Sequence, residues 1–389
     1  MVFRAVIIYR FRVQSAIPSD FYYETVMIKR KRKLSEEKIS AVNSKKDLKT
    51  DGAVINSRIQ DYLDAAFVVA SEACEGSGED SFCCSCSKES IIAGVFDGCG
   101  GLGARQYDHY ENHTGAYIAS RLVSGAVYDW FQNSRQVFDR KGETAEAEKE
   151  RDPNGKNPYE EAIQVLKERI AKALKTGERL GGSTLKIRGS MVRNFPTTAA
   201  IALAVCLQDG VELDAMWAGD SRVYFLGETG LMPLTRDDTS SGDAFEDLRN
   251  DPVQTNVLSS DGQFILHTRT VPIKEPILVI AATDGYFGYW NTPMEFEFFL
   301  LDTLYRSSCL EEWEEFLREE IKDVTGDDAT LAVLAFGFGT FDRMKEAYTE
   351  RHRIIKDQYI NQLGDSCTEK EAKLLWQKYR RDYEKYILS

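Results

Sequence analysis

The sequence predicts an α+β fold, antiparallel sheets with their helices kept apart, and two observations predict it. Strand-like apolar runs come in two groups, and helical patterns follow each group. Clusters of Gly, Ser and Asp separate the runs at hairpin-like lengths, which favours antiparallel pairing over a doubly wound parallel sheet. The chain has 389 residues, 43% of them hydrophobic, enough for one large domain with additions.

Taken in order, residues 1–50 are polar and charged with weak periodicity and read as a flexible basic tail carrying Lys29-Arg30-Lys31-Arg32-Lys33. Met27 is an alternative start. A catalytic-type domain is expected over residues 51–340. Its first strands are Ala65–Ala70, Ser81–Cys86 and Ile91–Phe96, before a helix over residues 113–131 with Ala116, Ile118, Ala119, Leu122 and Val123 at helical spacing. Residues 139–157 form a charged linker, and Pro158 suits a helix start. That helix buries Ile163, Leu166, Ile170 and Leu174, with Gly177 and Gly181-Gly182 as its stop.

The second strand group is Ala199–Leu207, Val211–Trp217, Arg222–Leu226, Gln263–Thr270 and Ile277–Thr283. Helices over residues 294–306 and 310–321 precede a strand Thr330–Phe336. Residues 341–389 read as a helical extension whose stripe of Trp376, Tyr379, Tyr383 and Tyr386 packs back on the domain.

A net charge of −13 argues against nucleic-acid binding. No stretch approaches the roughly 18 apolar residues of a membrane span, and Val6-Ile7-Ile8-Tyr9 is too short for a signal-peptide core. A cytoplasmic protein that engages no membrane is expected, and a monomer. The eight cysteines include Cys83-Cys84-Ser85-Cys86, which lacks zinc-knuckle spacing. Strand alternation sends these side chains to opposite faces, so reduced structural cysteines are expected.

Function lies in the aspartates that stand where apolar runs end. In sequence order come Gly78-Glu79-Asp80-Ser81, then Val95-Phe96-Asp97-Gly98-Cys99-Gly100-Gly101, Pro196-Thr197-Thr198, and Ala218-Gly219-Asp220-Ser221-Arg222. Leu234-Thr235-Arg236-Asp237-Asp238, Thr283-Asp284-Gly285 and Gly326-Asp327-Asp328-Ala329 follow. Each Asp-Gly alone is an ordinary turn. Converging carboxylates, however, suit hard cations. A calcium loop is disfavoured, because its ligands alternate within one short stretch, whereas these span more than half the chain.

In motif order and rough spacing, over about residues 61–338, the chain resembles the metal-dependent protein phosphatases of the type 2C family. The resemblance implies a four-layer α-β-β-α sandwich with two Mn²⁺ or Mg²⁺ ions at one end, and hydrolysis of phosphoserine and phosphothreonine on proteins by water activated there. Asp97 would bridge the ions and the Gly98 carbonyl would bind one. Asp284 and Asp327 would hold one ion, Glu79 and Asp80 would support waters on the other, and Asp220 would recruit a third, weaker ion. Phosphorylated proteins and a cognate serine/threonine kinase are the implied partners.

Three positions depart from the family pattern. Cys99 stands where the family has a histidine assigned as general acid; a metal-bound water, His109 or His113 would be the substitutes. No arginine precedes Glu79 in Ala73-Cys74-Glu75-Gly76-Ser77-Gly78, so a phosphate would rely on the metals or on an arginine from elsewhere, such as Arg58 or Arg105. Gly288 replaces a further acidic ligand. The alternative reading is a catalytically impaired, phosphatase-like binding or scaffolding module.

Overall fold

The computed structural model describes residues 5–12, 24–31, 58–141, 158–181, 194–241, 243–250, 252–261, 263–364 and 367–387. β1 (Ala5–Arg12) and β2 (Glu24–Lys31) precede α1 (Ile59–Tyr62) and β3 (Leu63–Ser71). β4 (Ser81–Cys86) and β5 (Ser90–Phe96) lead to α2 (Gly100–Gly103), the short pair β6 (Gln106–Tyr107) and β7 (His113–Thr114), and the long α3 (Gly115–Lys141). After α4 (Pro158–Leu180) come β8 (Ala199–Leu207), β9 (Gly210–Ala218), β10 (Arg222–Gly227), β11 (Gly230–Pro233) and α5 (Ala244–Asn250). β12 (His267–Ile273) and β13 (Ile277–Ala282) are followed by α6 (Asp284–Phe287), α7 (Pro293–Arg306) and α8 (Leu310–Ile321). β14 (Ala329–Phe336), α9 (Phe341–Gln358) and α10 (Glu369–Tyr383) complete the order.

Strand alternation explains why two sheets stack. In β13, Ile277, Val279 and Ala281 face an inter-sheet core, while Leu278, Ile280 and Ala282 face helices. In β8, Ala200, Ala202 and Ala204 point inward, and Ile201, Leu203 and Val205 point to α3 and α4. A strand apolar on both faces must lie between two layers. The seven-stranded sheet runs β1-β2-β3-β14-β13-β10-β11 and the five-stranded sheet β12-β9-β8-β5-β4. Helices α3 and α4 cover the second sheet, and α7 to α10 cover the first. This is the predicted α+β, four-layer α-β-β-α sandwich.

The C-terminal helices share a core with α7 and α8. Met344, Tyr348 and Ile355 of α9 and Leu375, Trp376, Tyr379 and Tyr383 of α10 are buried in the cluster that holds Leu278, Ile280, Phe299 and Trp313. The aromatic stripe therefore packs inward, as expected, and Tyr386 sets its ring edge-on to Phe225 at 5.7 Å. Helix α10 begins with a reciprocal capping box between Thr368 and Glu371.

The structure departs from expectation at several places. The segment read as a tail contributes β1 and β2, and β2 joins β3 through Ile28↔Ala66 and Lys29↔Ala65. Helix α3 continues to Lys141 because Trp130, Phe131 and Phe138 keep burying apolar surface. Gly177 does not stop α4: it lies inside the helix, buried where Leu122 of α3 approaches, at a point too tight for a Cβ. The strand expected from Gln263 begins at His267, since Asn256 instead takes both backbone groups of Ile265. Cys83 and Cys84 do face opposite layers and are unbridged, as expected.

Candidate metal centre

Antiparallel register brings the selected carboxylates to one end of the sandwich. Ala282 of β13 pairs with both Arg222 and Leu331, so Asp284, Asp220 and Asp327 flank neighbouring strand ends. In the other sheet Phe96 pairs with Ser81, and Ala199 with Ala218, which adds Asp97, Asp80 and again Asp220 to the same end. Sequence order scatters these residues; strand pairing gathers them.

Neighbouring backbone fixes each one. The Asp97 carbonyl accepts from Thr198 N at 2.8 Å and from Thr197 Oγ1 at 2.6 Å. Gly98 is buried where a Cβ would meet the carbonyl oxygens of Ala116 and Glu79 at 2.8 Å, so only glycine lets the Asp97 turn pass. Asp284 starts α6, and there Gly285 packs so closely on the Asp328 carbonyl that a Cβ would lie 1.9 Å from it. Thr283 Oγ1 donates to Asp80 Oδ2 at 2.8 Å and accepts from Thr330 N at 2.9 Å, which ties β13, β14 and the Glu79-Asp80 loop together.

The resulting cluster is strongly anionic. Burial pushes Asp97 and Asp284 well above the usual carboxylate range, and their mutual repulsion, with Asp80, Asp220 and Asp327, adds to it. Burial likewise lifts Asp80 to about 8 and Asp220 to about 6. Glu79 is raised mainly by burial, offset in part by the Thr114 hydroxyl that donates to it. Carboxylates in such a field either hold protons or bind cations.

Oxygen donors of this kind suit hard divalent ions. Asp220 Oδ1 and Asp80 Oδ1 are buried with no hydrogen-bond partner, as coordinating oxygens awaiting a cation would be. Among the described residues, no three His, Cys, Asp or Glu side chains stand close enough together to hold a metal ion between them. An ion here would therefore take few protein oxygens and several waters, which is how Mg²⁺ is usually bound. The residues fit the implied ions.

Cys99 lies at the cluster, capping the short α2, with its thiol pushed well above its ordinary pKa by burial and by Asp97, Asp220 and Asp284. His109 is exposed on the turn before β7, and His113 stacks on Tyr117 with centroids 3.8 Å apart. Arg58 sits at the opposite end of the sandwich, bonded to the Leu207 carbonyl, and Arg105 lies over the Tyr107 ring at 5.1 Å. Arg58 is therefore not placed as the expected phosphate anchor. Gly288 ends α6 and offers no side chain.

Several contributors escape sequence reasoning. Asp328, nearly buried, accepts from Ala73 N at 2.8 Å and from Glu79 N, so it anchors the loop that presents Glu79 and Asp80. Arg121 of α3 donates to Gly78 O at 3.0 Å and steadies the same loop. Gln254 donates to Asp220 Oδ2 at 2.6 Å. The only sequence signal for Asp328 is a second aspartate directly before a buried strand; Gln254 has none.

No family model and no curated protein matches the chain. Among solved structures, it is similar to the serine/threonine phosphatase Stp1 from Staphylococcus aureus, at 14% identity and a TM-score of 0.48 over 75% of this chain and 100% of that one. It is similar to PppA from Pseudomonas aeruginosa at 14% identity and 0.44, covering 71% and 100%. It is also similar to the serine/threonine phosphatase PstP/Ppp from Mycobacterium tuberculosis at 15% identity and 0.46, covering 71% and 98%.

Proposed function

We propose that this chain hydrolyses phosphoserine and phosphothreonine on proteins with the help of Mn²⁺ or Mg²⁺, as the type 2C resemblance implies. The observation that carries the reading is the convergence of Asp80, Asp97, Asp220 and Asp284 into one buried anionic cluster at the sandwich end. A phosphate ester, itself anionic, is excluded from that cluster until its charge is neutralised. Bound divalent cations would supply that neutralisation and the acidity of an attacking water.

Asp97, the Gly98 carbonyl, Asp284 and Asp327 are the groups that would hold the ions, with Glu79 and Asp80 behind them and Asp220 at a weaker position. The protein's own work is orientation. Thr197 and Thr198 fix the Asp97 turn, Thr283 fixes Asp80, and Asp328 fixes the Glu79 loop. With the carboxylates engaged in holding cations, direct attack by water needs no covalent enzyme ester. Phosphorylated proteins, a cognate kinase, a monomeric state and a cytoplasmic setting belong to this proposal.

Among the described residues no helix is long and apolar enough to cross a membrane. The test is release of phosphate from phosphopeptides with added Mn²⁺. Dependence on the cation, abolished by Asp97→Asn and by Asp284→Asn, is the expected result. Activity that survives both substitutions sinks the assignment, and no Mn²⁺ binding in calorimetry favours the scaffolding alternative.

A further inference from the structure

Gln254 lies in the irregular segment between α5 and β12 and joins two residues of the cluster from two other loops. Cys99 Sγ donates to its Oε1 across 3.7 Å, and its Nε2 donates to Asp220 Oδ2 at 2.6 Å. The second Asp220 oxygen, Oδ1, is buried and has no partner. A glutamine serving only to satisfy a buried carboxylate would leave no such oxygen bare beside other unpaired carboxylates, because a lone desolvated acceptor is costly.

The segment that carries Gln254 is itself tied to Asp220. Asp238 accepts from Gly219 N at 3.0 Å and from Asn256 Nδ2 at 2.6 Å through one oxygen, while its carbonyl accepts from Thr255 N at 2.7 Å. His267 Nε2 meets its other oxygen at 2.9 Å. One aspartate thus sets the strand end before Asp220 and the two residues after Gln254. The isolated bridge between Thr239 and Gln254 adds a backbone restraint. Amide and carboxylate are held in register from both sides.

We propose that Gln254 is a positioning residue that orients Asp220 so that Oδ1 alone faces a divalent cation, and that the 252–256 segment thereby sets how tightly that cation is held. The inference rests on the cation-dependent reading of the site. One oxygen pinned by a donor fixes the carboxylate plane, and the other keeps its lone pairs for the ion. Support of this kind behind a ligand ordinarily governs about 10- to 100-fold in metal affinity.

The experiment is a Mn²⁺ titration of the full chain, read by the loss of the free Mn²⁺ resonance and by calorimetry, so that it does not depend on turnover. Gln254→Met keeps the side-chain volume but donates nothing. It is expected to weaken the weakest Mn²⁺ event by about tenfold and leave the tighter events in place. In an Asp220→Asn background the same substitution is expected to change nothing further, since the oriented carboxylate is already gone.

Unchanged Mn²⁺ affinity in Gln254→Met, or an equal loss in the Asp220→Asn background, overturns the role of Gln254 while leaving the metal reading intact. A wild-type chain that takes up no Mn²⁺ overturns both. Thermal unfolding of each variant without metal separates orientation from folding. A Gln254→Met protein that unfolds before binding is assayed is replaced by Gln254→Asn, which keeps the donor but retracts it, and the same loss of the weakest event is expected.

Discussion

Two buried charged clusters in this molecule are built on opposite principles. On the outer face of the seven-stranded sheet, Glu297 of α7 is fully buried, and Arg351 of α9 meets it through two nitrogens, one at 3.0 Å. The Tyr379 hydroxyl of α10 donates to it as well, and Leu231 N of β11 completes it at 3.2 Å. That cluster is closed: every charge has its complement, and three side chains and one backbone amide come from four elements. At the sandwich end, Asp80, Asp97, Asp220 and Asp284 repel one another and two of their oxygens have no partner. Desolvated charge is tolerated when paired. The difference therefore separates a cluster that fastens the C-terminal helices from one that lacks its counter-charge within the protein.

The largest effects should come from the open cluster, and on activity. Asp97→Asn or Asp284→Asn is expected to lower Mn²⁺-dependent phosphatase activity by about a thousandfold. The same substitutions should raise the thermal stability of the metal-free protein, because each removes a buried carboxyl whose charged form burial and its neighbours disfavour. A variant both inactive and less stable would mean that these aspartates hold the fold instead.

The closed cluster should answer in the reverse manner. Arg351→Ala strands the Glu297 carboxylate and is expected to destabilise the fold by about 3–5 kcal/mol, with turnover per folded molecule preserved. Denaturant unfolding beside active-site titration checks both halves. Little change in stability would show that α9 is dispensable. The burial of Met344, Tyr348 and Ile355 argues otherwise, and truncation at Phe341 should then unfold the domain rather than deregulate it.

An intermediate effect is expected in the pH profile without metal. Burial holds Asp80 near 8 and Asp220 near 6, whereas unfolded carboxylates titrate near 4. Across that window the native state keeps protons that the unfolded state has released, so stability falls as pH rises from about 4 toward about 8. Mg²⁺ or Mn²⁺ should abolish the slope by replacing those protons. Thermal midpoints of stripped and loaded protein across this range decide the matter; a flat profile in stripped protein would remove the mutual burial of these groups.

What was legible in the sequence follows the same division. The strands β4, β5, β8, β13 and β14 announce themselves as apolar runs, and aspartates of the buried cluster stand beside their ends, so both fold class and candidate cluster could be read from the sequence. The β-branched runs of β1 and β2 are short and set among charges, so the strands at this side of the sheet read as a tail. Asp328 and Gln254 were invisible for another reason. Their partners lie 249 and 34 residues away, reached only after the strands pair, and neither lies in a periodic pattern. Arg58 lies at the far end, and nothing in the sequence marks which end of a strand it adjoins.

The smallest effect should come from Cys99, and it tests whether the open cluster contains its own acid. Burial and three neighbouring carboxylates push the thiol upward, so it keeps its proton at neutral pH and surrenders it reluctantly. A proton donor so mismatched to the working pH contributes little to a leaving alkoxide. A serine hydroxyl can still donate to Gln254 in place of the thiol. Cys99→Ser should therefore lose less than about tenfold in turnover at saturating Mn²⁺, with an unshifted pH profile. A loss of about 100-fold, the scale of true general acid catalysis, would place the departing proton on sulfur and give the open cluster a second task beyond holding charge.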